Sequence, residues 1–272
     1  MTYGGCWAAL QAVKIAKKFG AANVFYLCNF AYNRRDLFAE FDRIVVPSEF
    51  AKSFYRQKLD VATDVMPPLI DDSKFRVADN SRCFLTFVNP SPEKGRYFFV
   101  GIPRELELRF PEIPILVVES RSKITTFATS SEARTLANLY ALQQVDDLRE
   151  FYRQTRILLA PSLWNESFRR VAVEAGLNGI PVVCSNRGAL PEVVEGWGIT
   201  LDVPPRYTPS TRTIPTPDEV APWGDAVATL WNDDVYAQEN ARVARERVER
   251  YSFQNVAQQT VAFFNDVASR RR

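Results

Sequence analysis

Short, continuous apolar runs alternate along this chain with stretches in which apolar residues recur every three or four positions. The continuous runs predict strands at 24–27, 43–46, 83–88, 113–119, 157–160 and 182–184. The helical periodicity predicts helices at 7–19, 48–58, 94–109, 146–154, 167–178, 190–195, 222–231, 234–251 and 255–269. Strands that are apolar throughout are typical of a parallel sheet covered by helices on both faces. The alternation therefore predicts an α/β fold.

The regular alternation is interrupted at 67–81, where prolines and polar residues predict a domain boundary. Residues 1–78 contain two of the predicted strands and two helices, which is too little for an independent doubly wound sheet. Residues 79–250 contain the other four strands and predict a complete small α/β domain. The proline-rich stretch 203–222 is expected to be a surface excursion of that domain.

Charge and composition exclude several classes of protein. The 34 basic residues nearly balance 32 acidic ones, so nothing indicates a nucleic-acid partner. Because the chain has no histidine, Ser-His-Asp and Cys-His hydrolases are excluded, and four cysteines without a CxxC pair make no zinc site. The sequence shows neither a membrane-spanning apolar run nor a signal-peptide layout, which favours a cytoplasmic location.

A set of basic residues leaves one question of location open. Three lysines lie on one face of the first predicted helix, two arginines follow, and the chain ends in three arginines: Lys14, Lys17, Lys18, Arg34, Arg35, Arg270, Arg271 and Arg272. A solvated surface is the default interpretation of such a set. The alternative is peripheral contact with anionic lipid or with a lipid-linked acceptor.

Two glutamates follow the predicted strand 157–160. Glu166 comes after a Pro161-Ser162 turn, so we expect it at the carboxyl edge of the sheet, where ligands bind in open α/β folds. The free N–H groups of the first helical turn, near Ser167, can receive a phosphate there. Glu174 is expected about 12 Å farther along the same helix, where its carboxylate suits a vicinal diol such as ribose. The alternative is a capping glutamate and a solvated helix residue.

Two further strand-to-helix loops carry comparable residues. In the loop after 83–88, Lys94 would place a cation beside a diphosphate, and Gly95 would let the backbone approach closely. In the loop after 182–184, Gly188 can expose backbone N–H groups. Each loop alone is also compatible with a solvated lysine or an ordinary turn, and neither contains a Walker motif. Three such loops at one sheet edge predict a binding site.

The order and local sequence of these loops resemble the family-4 retaining glycosyltransferases of the GT-B fold, also called glycosyl transferase group 1. The matching segments are Lys94-Gly95, Pro161-Ser162, Glu166-x7-Glu174, 179–182 and 188–192, with 41–50 similar to the last strand of the family's N-terminal domain. The resemblance covers most of the chain, and the Glu-x7-Glu block is highly specific in this context. It implies a GT-B type α/β fold with a partial N-terminal, acceptor-side Rossmann-like domain at 1–78. A complete Rossmann-like, nucleotide-sugar-binding domain would follow at 79–250, and a helix at 251–272 would cross back to the N-terminal unit.

The resemblance also implies a function and a role for particular residues. The enzyme would move a sugar from a nucleotide-diphosphate sugar to an unknown saccharide, lipid-linked or small-molecule acceptor, with retention of configuration. Lys94 would bind the diphosphate and Glu166 the transferred sugar, both as catalytic residues; Glu174 would hold the ribose, and the Val145 backbone would lie near the base. The donor set is completed by Asn89, Gly95, Ser167, Phe168, Arg169 and Gly188. No metal or cofactor is required, because fixed cations and helix N–H groups can stabilise the leaving diphosphate.

The sequence departs from the family pattern at several positions. Asn89 stands where many members carry an arginine, and Ala189 where a second glycine is frequent. Arg169 replaces the usual glycine; it would either supply the cation that Asn89 does not, or crowd the diphosphate. The histidine usual in the catalytic region of the family cannot exist in this chain. Tyr3-Gly4-Gly5 superficially resembles the family's early glycine loop, but with no strand predicted before it we expect a helix lead-in.

Two other functions stay open. Because the N-terminal domain is expected to lack its early βα units, the chain could be a donor-binding remnant or one half of a split enzyme that needs a partner chain. A dinucleotide-dependent oxidoreductase is the weaker alternative, since no G-x-G-x-x-G follows any predicted strand.

Overall fold

A computed structural model describes residues 1–3, 7–78, 81–123 and 138–270. The chain forms two compact units. The first unit comprises Met1–Ile70, Glu166–Phe168 and Arg250–Arg272, and the second comprises Asp71–Asn165 and Arg169–Glu249. The break after Ile70 lies inside the interval 67–81, whose residues 79 and 80 are outside the described ranges.

The strands of both units are parallel to their neighbours. They are β1 Thr2–Tyr3, β2 Val24–Tyr26, β3 Arg43–Val46, β4 Asp64–Val65, β5 Phe84–Val88, β6 Ile115–Val118, β7 Leu139–Leu142, β8 Thr155–Ala160, β9 Val182–Ser185 and β10 Ile199–Leu201. The first unit has the order β1-β2-β3-β4, and the second has β10-β9-β8-β5-β6-β7. Parallel neighbours require crossover connections, and helices supply several of those in the described ranges, as the helix Arg96–Arg109 does between β5 and β6.

The α-helices of the described residues follow in chain order. They are α1 Trp7–Lys18, α2 Glu49–Leu59, α3 Arg96–Arg109, α4 Arg149–Tyr152, α5 Arg170–Leu177, α6 Leu190–Val193, α7 Pro217–Asn232, α8 Asp234–Val248 and α9 Phe253–Ser269. Several begin at a residue that satisfies their unpaired N–H groups: Ser48 Oγ accepts from Ala51 N at 3.1 Å, and Asp233 Oδ1 accepts from Tyr236 N at 2.9 Å.

In the first unit, a core of aromatic and aliphatic side chains, including Phe25, Phe38 and Tyr55, lies on one face of the sheet. In a second cluster of buried side chains, Val267 of α9 packs against Val24, Val45 and Met66. An ion pair joins the same elements: the Arg43 guanidinium contacts Asp64 at 2.6 Å and Asp266 at 2.9 Å. The C-terminal helix α9 is therefore part of the first unit.

The second unit has the strand order of a doubly wound nucleotide-binding fold. The chain starts at the central β5, moves outward through β6 and β7, and then returns to β8 beside β5 before continuing to β9 and β10. The strand order thus reverses between β5 and β8. In open α/β sheets this switch point opens a crevice at the carboxyl ends of the two strands. The core beneath it contains the fully buried Phe87, Phe98 and Trp223.

The structure contains several strands that the sequence analysis did not predict. The described first unit has four strands rather than two, and the second has six rather than four, because β1, β4, β7 and β10 were missed. All four are edge strands, which pair with a neighbouring strand on one side only. Their apolar runs are short, so the sequence pattern does not reveal them. Tyr3 lies in β1 instead of a helix lead-in, while residues 4–6 are outside the described ranges.

The stretch 203–222 was also predicted incorrectly in part. Val203 and Tyr207 are buried in the core, and α7 begins at Pro217, not at 222. The Glu219 carboxylate accepts from the Thr216 N–H at 3.0 Å and so closes the first turn of α7. The excursion is therefore shorter than predicted.

Candidate functional site

Two loops meet at the switch point of the second unit. One follows β5 and leads through Asn89 to α3; the other follows β8 and begins at Pro161. They are joined by a backbone hydrogen bond from Leu163 N to Glu93 O at 3.0 Å. Gly95 has φ +85°, and a Cβ added there would lie 1.9 Å from the Pro161 carbonyl oxygen. Only glycine therefore fits both the conformation and the contact.

Lys94 lies at this meeting of loops. Its Nζ is 5.0 Å from the ring centroid of Trp164, whose side chain is exposed, in a cation–π contact. Helix α3 begins at Arg96, so Lys94 precedes the helix instead of opening it as predicted. The cation and the N-terminus of a 14-residue helix are thus adjacent in sequence, and both favour an anion at this edge. Trp164 was missed by sequence reasoning because a single aromatic residue after a strand carries no signal of its own.

Asn89 shapes the first loop. It adopts φ +64°, a left-handed conformation that asparagine tolerates better than most residues. Its Oδ1 accepts a hydrogen bond from Ser122 N at 3.1 Å, which fastens the loop after β5 to the segment after β6. The Asn89 side chain therefore accepts a backbone hydrogen bond and holds the two segments together.

Glu174 is buried in α5, with 3% of its surface exposed. The Tyr152 hydroxyl donates to its Oε2 at 2.6 Å, and Arg170 lies 3.3 Å from its Oε1. Burial, followed by the Glu174 charge, raises the pKa of Tyr152 well above its usual value, so Tyr152 stays protonated and donates. The carboxylate is thus held between two side chains, and its further lone pairs remain for hydroxyl groups. Sequence reasoning missed Tyr152; Arg170 could have been found from its i, i+4 spacing to Glu174.

Arg169 is also buried, with 6% exposed, directly before α5. Its charge reaches two neighbouring groups. Burial raises the pKa of the Cys184 thiol to about 12, and the Thr200 hydroxyl and the Arg169 charge oppose this rise. The Arg169 charge likewise opposes the elevated pKa of Tyr152. The positive charge of Arg169 therefore lies close to strand β9 and to Tyr152, the residue that donates to Glu174.

The three residues before Arg169 belong to the first unit. Glu166 is buried, with 3% exposed. The Ser167 hydroxyl donates to the Cys28 carbonyl at 2.5 Å, and the Phe168 ring lies edge-on to Tyr251 at 5.3 Å. Because α5 begins only at Arg170, the predicted helical path from Glu166 to Glu174 was wrong, and Ser167 is not in a first helical turn.

The remaining predicted positions follow strands of the second unit. Val145 is half-buried, three residues after the end of β7, and Gly188 lies between β9 and α6 with φ +64°. The structure therefore places Asn89, Lys94, Gly95, Val145 and Gly188 in loops at the carboxyl edge of one sheet, with Arg169 and Glu174 at the start and middle of the α5 segment. Glu166, Ser167 and Phe168 lie in the other unit. The individual roles of these residues stay predictions.

Residues 1–3, 7–78, 81–123 and 138–270 contain neither a metal-binding cluster nor a membrane-spanning helix. No group of three or more Asp, Glu and Cys side chains is placed to hold a metal ion there. Within the same ranges, no helix combines the length and apolarity needed to cross a membrane.

Several residues of the basic set near the N-terminus form ion pairs: Lys17 contacts Glu40 at 3.1 Å, Arg35 contacts Asp60 at 3.2 Å, and Arg34 pairs with Asp36.

The sequence of the second unit matches known proteins. Residues 108–233 match the family model described as glycosyl transferases group 1. The chain is 34% identical over 122 residues to a D-inositol 3-phosphate glycosyltransferase from Corynebacterium glutamicum, a match that covers 44% of this chain and 26% of the relative. It is 27% identical over 177 residues to the lipopolysaccharide 1,2-N-acetylglucosaminetransferase of Salmonella typhimurium, covering 56% and 46%. The matches thus span about a quarter to a half of the length of these relatives.

The fold matches solved structures over nearly the whole chain. The crystal structure of Anabaena HepE in complex with UDP-glucose superposes with a TM-score of 0.74 at 18% identity, covering 97% of this chain and 78% of that chain. Sucrose-phosphate synthase from Thermosynechococcus elongatus superposes with a TM-score of 0.70 at 16% identity, covering 95% and 71%. At these identities the likeness shows the fold alone, and the predicted fold class is confirmed. The chain therefore has the GT-B fold, and its residues 108–233 match the family model of the glycosyl transferases group 1.

Proposed function

We propose that this chain binds a nucleotide-diphosphate sugar at the carboxyl edge of the second unit and transfers the sugar to an acceptor hydroxyl with retention of configuration. One observation carries the proposal. The loops after β5 and β8 are locked together at the switch point through Gly95, and they present Lys94 and the start of α3 at the same place. Such a site attracts a diphosphate.

Each group has a definable task in that reaction. The bond from the anomeric carbon to the diphosphate oxygen breaks, and a bond from the acceptor oxygen forms on the same face. Lys94 and the amides of α3 stabilise the charge that develops on the leaving diphosphate, since they are fixed before the reaction begins. The acceptor proton passes to the departing phosphate, so no separate base is needed. Glu174, held by Tyr152, accepts hydrogen bonds from the ribose hydroxyls.

Arg169 supplies the second fixed cation of this site. Its buried position directly before α5, the helix that also carries Glu174, supports this role. We expect Arg169→Gly, which restores the residue usual in the family, to weaken binding of the donor at least ten-fold in calorimetric titration. Tighter binding by this variant would show instead that Arg169 crowds the diphosphate.

The proposed reaction can be tested by incubating the chain with UDP-, GDP- and ADP-hexoses, with water or simple glycosides as acceptors, and quantifying the released nucleoside diphosphate. We expect turnover of one donor class, and a loss of roughly ten-fold or more in kcat/KM for Glu174→Gln, because the ribose hydroxyls lose their charged acceptor. Glu112→Gln, at an exposed position of the second unit, is the matched control and should retain wild-type turnover. The anomeric coupling constant of the product in proton NMR reports whether configuration is retained.

The outcomes separate the proposal from its alternative. Tight binding of a donor without any turnover would favour a donor-binding remnant or half-enzyme that needs a partner chain. A chain that neither binds nor turns over any nucleotide sugar would contradict both.

A further inference from the structure

A cavity of about 520 Å³ lies at the edge of the second unit's sheet opposite to the donor loops. It is lined by Arg82, two residues before β5; Arg156, the second residue of β8; and Pro181, directly before β9. Helix α8 contributes one face to it, including Asp234 and Arg245. These positions are the amino ends of the central strands, so the cavity is separate from the loops that follow β5, β8 and β9.

Two of the arginines pack around the end of α5. The Arg82 guanidinium donates to the carbonyls of Asn178 and Gly179 at 2.9 and 3.0 Å. Gly179 has φ +63°, and a Cβ added there would lie 2.4 Å from Arg245 Cζ, so the Arg245 guanidinium lies directly against this glycine. Arg82 and Arg245 are therefore fixed close together. Burial, and then the charges of Arg245 and Arg156, lower the pKa of Arg82.

The side chains that line the cavity carry more positive than negative charge. Among its described lining residues, Asp234 is the only acid, and its Oδ1 is already 2.8 Å from Arg156. Arg82 and Arg245 make no ion pair with any carboxylate of the described chain. Arg156 Nε is buried and has no hydrogen-bond partner. Buried donors normally have a partner, and like charges normally lie apart unless a counter-charge joins them.

We propose that this arginine pocket binds a phosphate-bearing anion. Three guanidinium groups against one carboxylate leave two positive charges, which matches a phosphate monoester or a diphosphate better than a single carboxylate. The planar guanidinium binds phosphate oxygens through paired N–H groups. The cavity has the volume of a small-ligand site. A soluble phosphorylated metabolite and a phospholipid head group present the same chemistry, and the site is independent of sugar transfer at the other edge.

Inorganic pyrophosphate is the probe for this pocket, measured by isothermal titration calorimetry. We expect the wild-type chain and Lys94→Ala to bind it with similar affinity at this site, because Lys94 lies at the other edge of the sheet. Arg245→Ala should weaken that binding at least ten-fold. The matched control is Arg242→Ala on the same helix, whose guanidinium is exposed and paired with Glu239 and Glu246; it should stay within two-fold of wild type.

Arg245→Lys keeps the charge but not the planar fork, and it provides a second variant if Arg245→Ala does not fold. We expect it to bind pyrophosphate two- to five-fold more weakly than wild type. Equal losses in the Arg242 and Arg245 variants would overturn the proposal. So would pyrophosphate binding that disappears in Lys94→Ala and persists in Arg245→Ala, since it would then belong to the donor loops.

The source of the anion is distinguished by sedimentation with vesicles of phosphatidic acid in phosphatidylcholine. Co-sedimentation that Arg245→Ala abolishes and pyrophosphate competes away would identify a lipid head group. Pyrophosphate binding without co-sedimentation would identify a soluble ligand. Failure of the wild-type chain in both measurements would overturn the site while leaving the proposed sugar transfer untouched.

Discussion

The contact between Gly95 and Pro161 makes a direct prediction about stability. In Gly95→Ala, the new Cβ would meet the Pro161 carbonyl oxygen at 1.9 Å, and the residue would keep φ +85°. The left-handed conformation costs alanine about 1–2 kcal/mol. Overpacking against backbone, which cannot rotate away, adds about 1–3 kcal/mol. We therefore expect a total loss of about 2–5 kcal/mol from the free energy of unfolding of the second unit.

Gly196 provides the matched control because it lies in the same unit with φ +77°, while the three atoms nearest to an added Cβ all belong to the Arg247 side chain, the closest at 3.6 Å. Gly196→Ala should thus lose the conformational part alone, about 1–2 kcal/mol. Urea unfolding followed by tryptophan fluorescence is suitable, since four of the five tryptophans, Trp164, Trp197, Trp223 and Trp231, lie in the second unit.

The two glycine variants should also differ in ligand binding. Gly95→Ala should weaken donor binding because the loops that carry Lys94 and Trp164 are forced apart, whereas Gly196→Ala should bind as wild type does. Equal destabilisation by the two substitutions, or undiminished donor binding by Gly95→Ala, would refute the claim that the two loops depend on this contact.

The remaining predictions concern Tyr152, the buried Cys184 thiol and the effect of metal removal on sugar transfer. Tyr152→Phe removes the 2.6 Å hydrogen bond to the buried Glu174 carboxylate and should destabilise the second unit by about 1.5–3 kcal/mol in urea unfolding, while the exposed Tyr236→Phe should be neutral. The Cys184 thiol has an ordinary pKa of 9.0 and a folded pKa of about 12, so the unfolded chain loses this proton first and stability falls as pH rises from 9 towards 12. Between pH 8 and 10.5 the wild type should lose about 2 kcal/mol more than Cys184→Ala, and parallel curves would contradict this. Saturating EDTA should leave sugar transfer unchanged, because Lys94, Arg169 and helix amides supply the positive charge; a loss restored by a divalent cation would show a metal requirement.

The central strands could be predicted from sequence because their surroundings are uniform. Strand β3 matches its predicted limits at 43–46, and β5, β8 and β9 differ from theirs by one or two residues. Each lies between two neighbouring strands, so most of its positions are buried, and most of those carry apolar side chains. The edge strand β7 has Tyr140 about half exposed, and a mixed, four-residue segment of this kind has no distinct pattern.

The donor loops were predictable in part for a similar reason. A glycine or lysine between a strand and a helix is visible in sequence, so Lys94, Gly95 and Gly188 could be identified before the fold was known. The start of α5 could not, because Ser167 and Phe168 are drawn out of the helix by Cys28 and Tyr251, which are distant in sequence. The start of α7 has a capping box, Thr216-x-x-Glu219, that the prediction did not use, and Pro222, where the helix was predicted to begin, lies inside it.

The most direct test of the account is calorimetric titration of the chain with UDP-, GDP- and ADP-hexoses, comparing Lys94→Ala with Lys58→Ala. Lys58 is a matched control because its Nζ lies 5.1 Å from the Phe54 ring in the first unit, a cation–π contact like that of Lys94 with Trp164. We predict that one donor class binds the wild type at a single site, that Lys94→Ala weakens this binding at least ten-fold, and that Lys58→Ala leaves it unchanged. Absence of binding by every donor, or equal weakening in both lysine variants, would contradict the assignment of the donor site to the loops after β5 and β8.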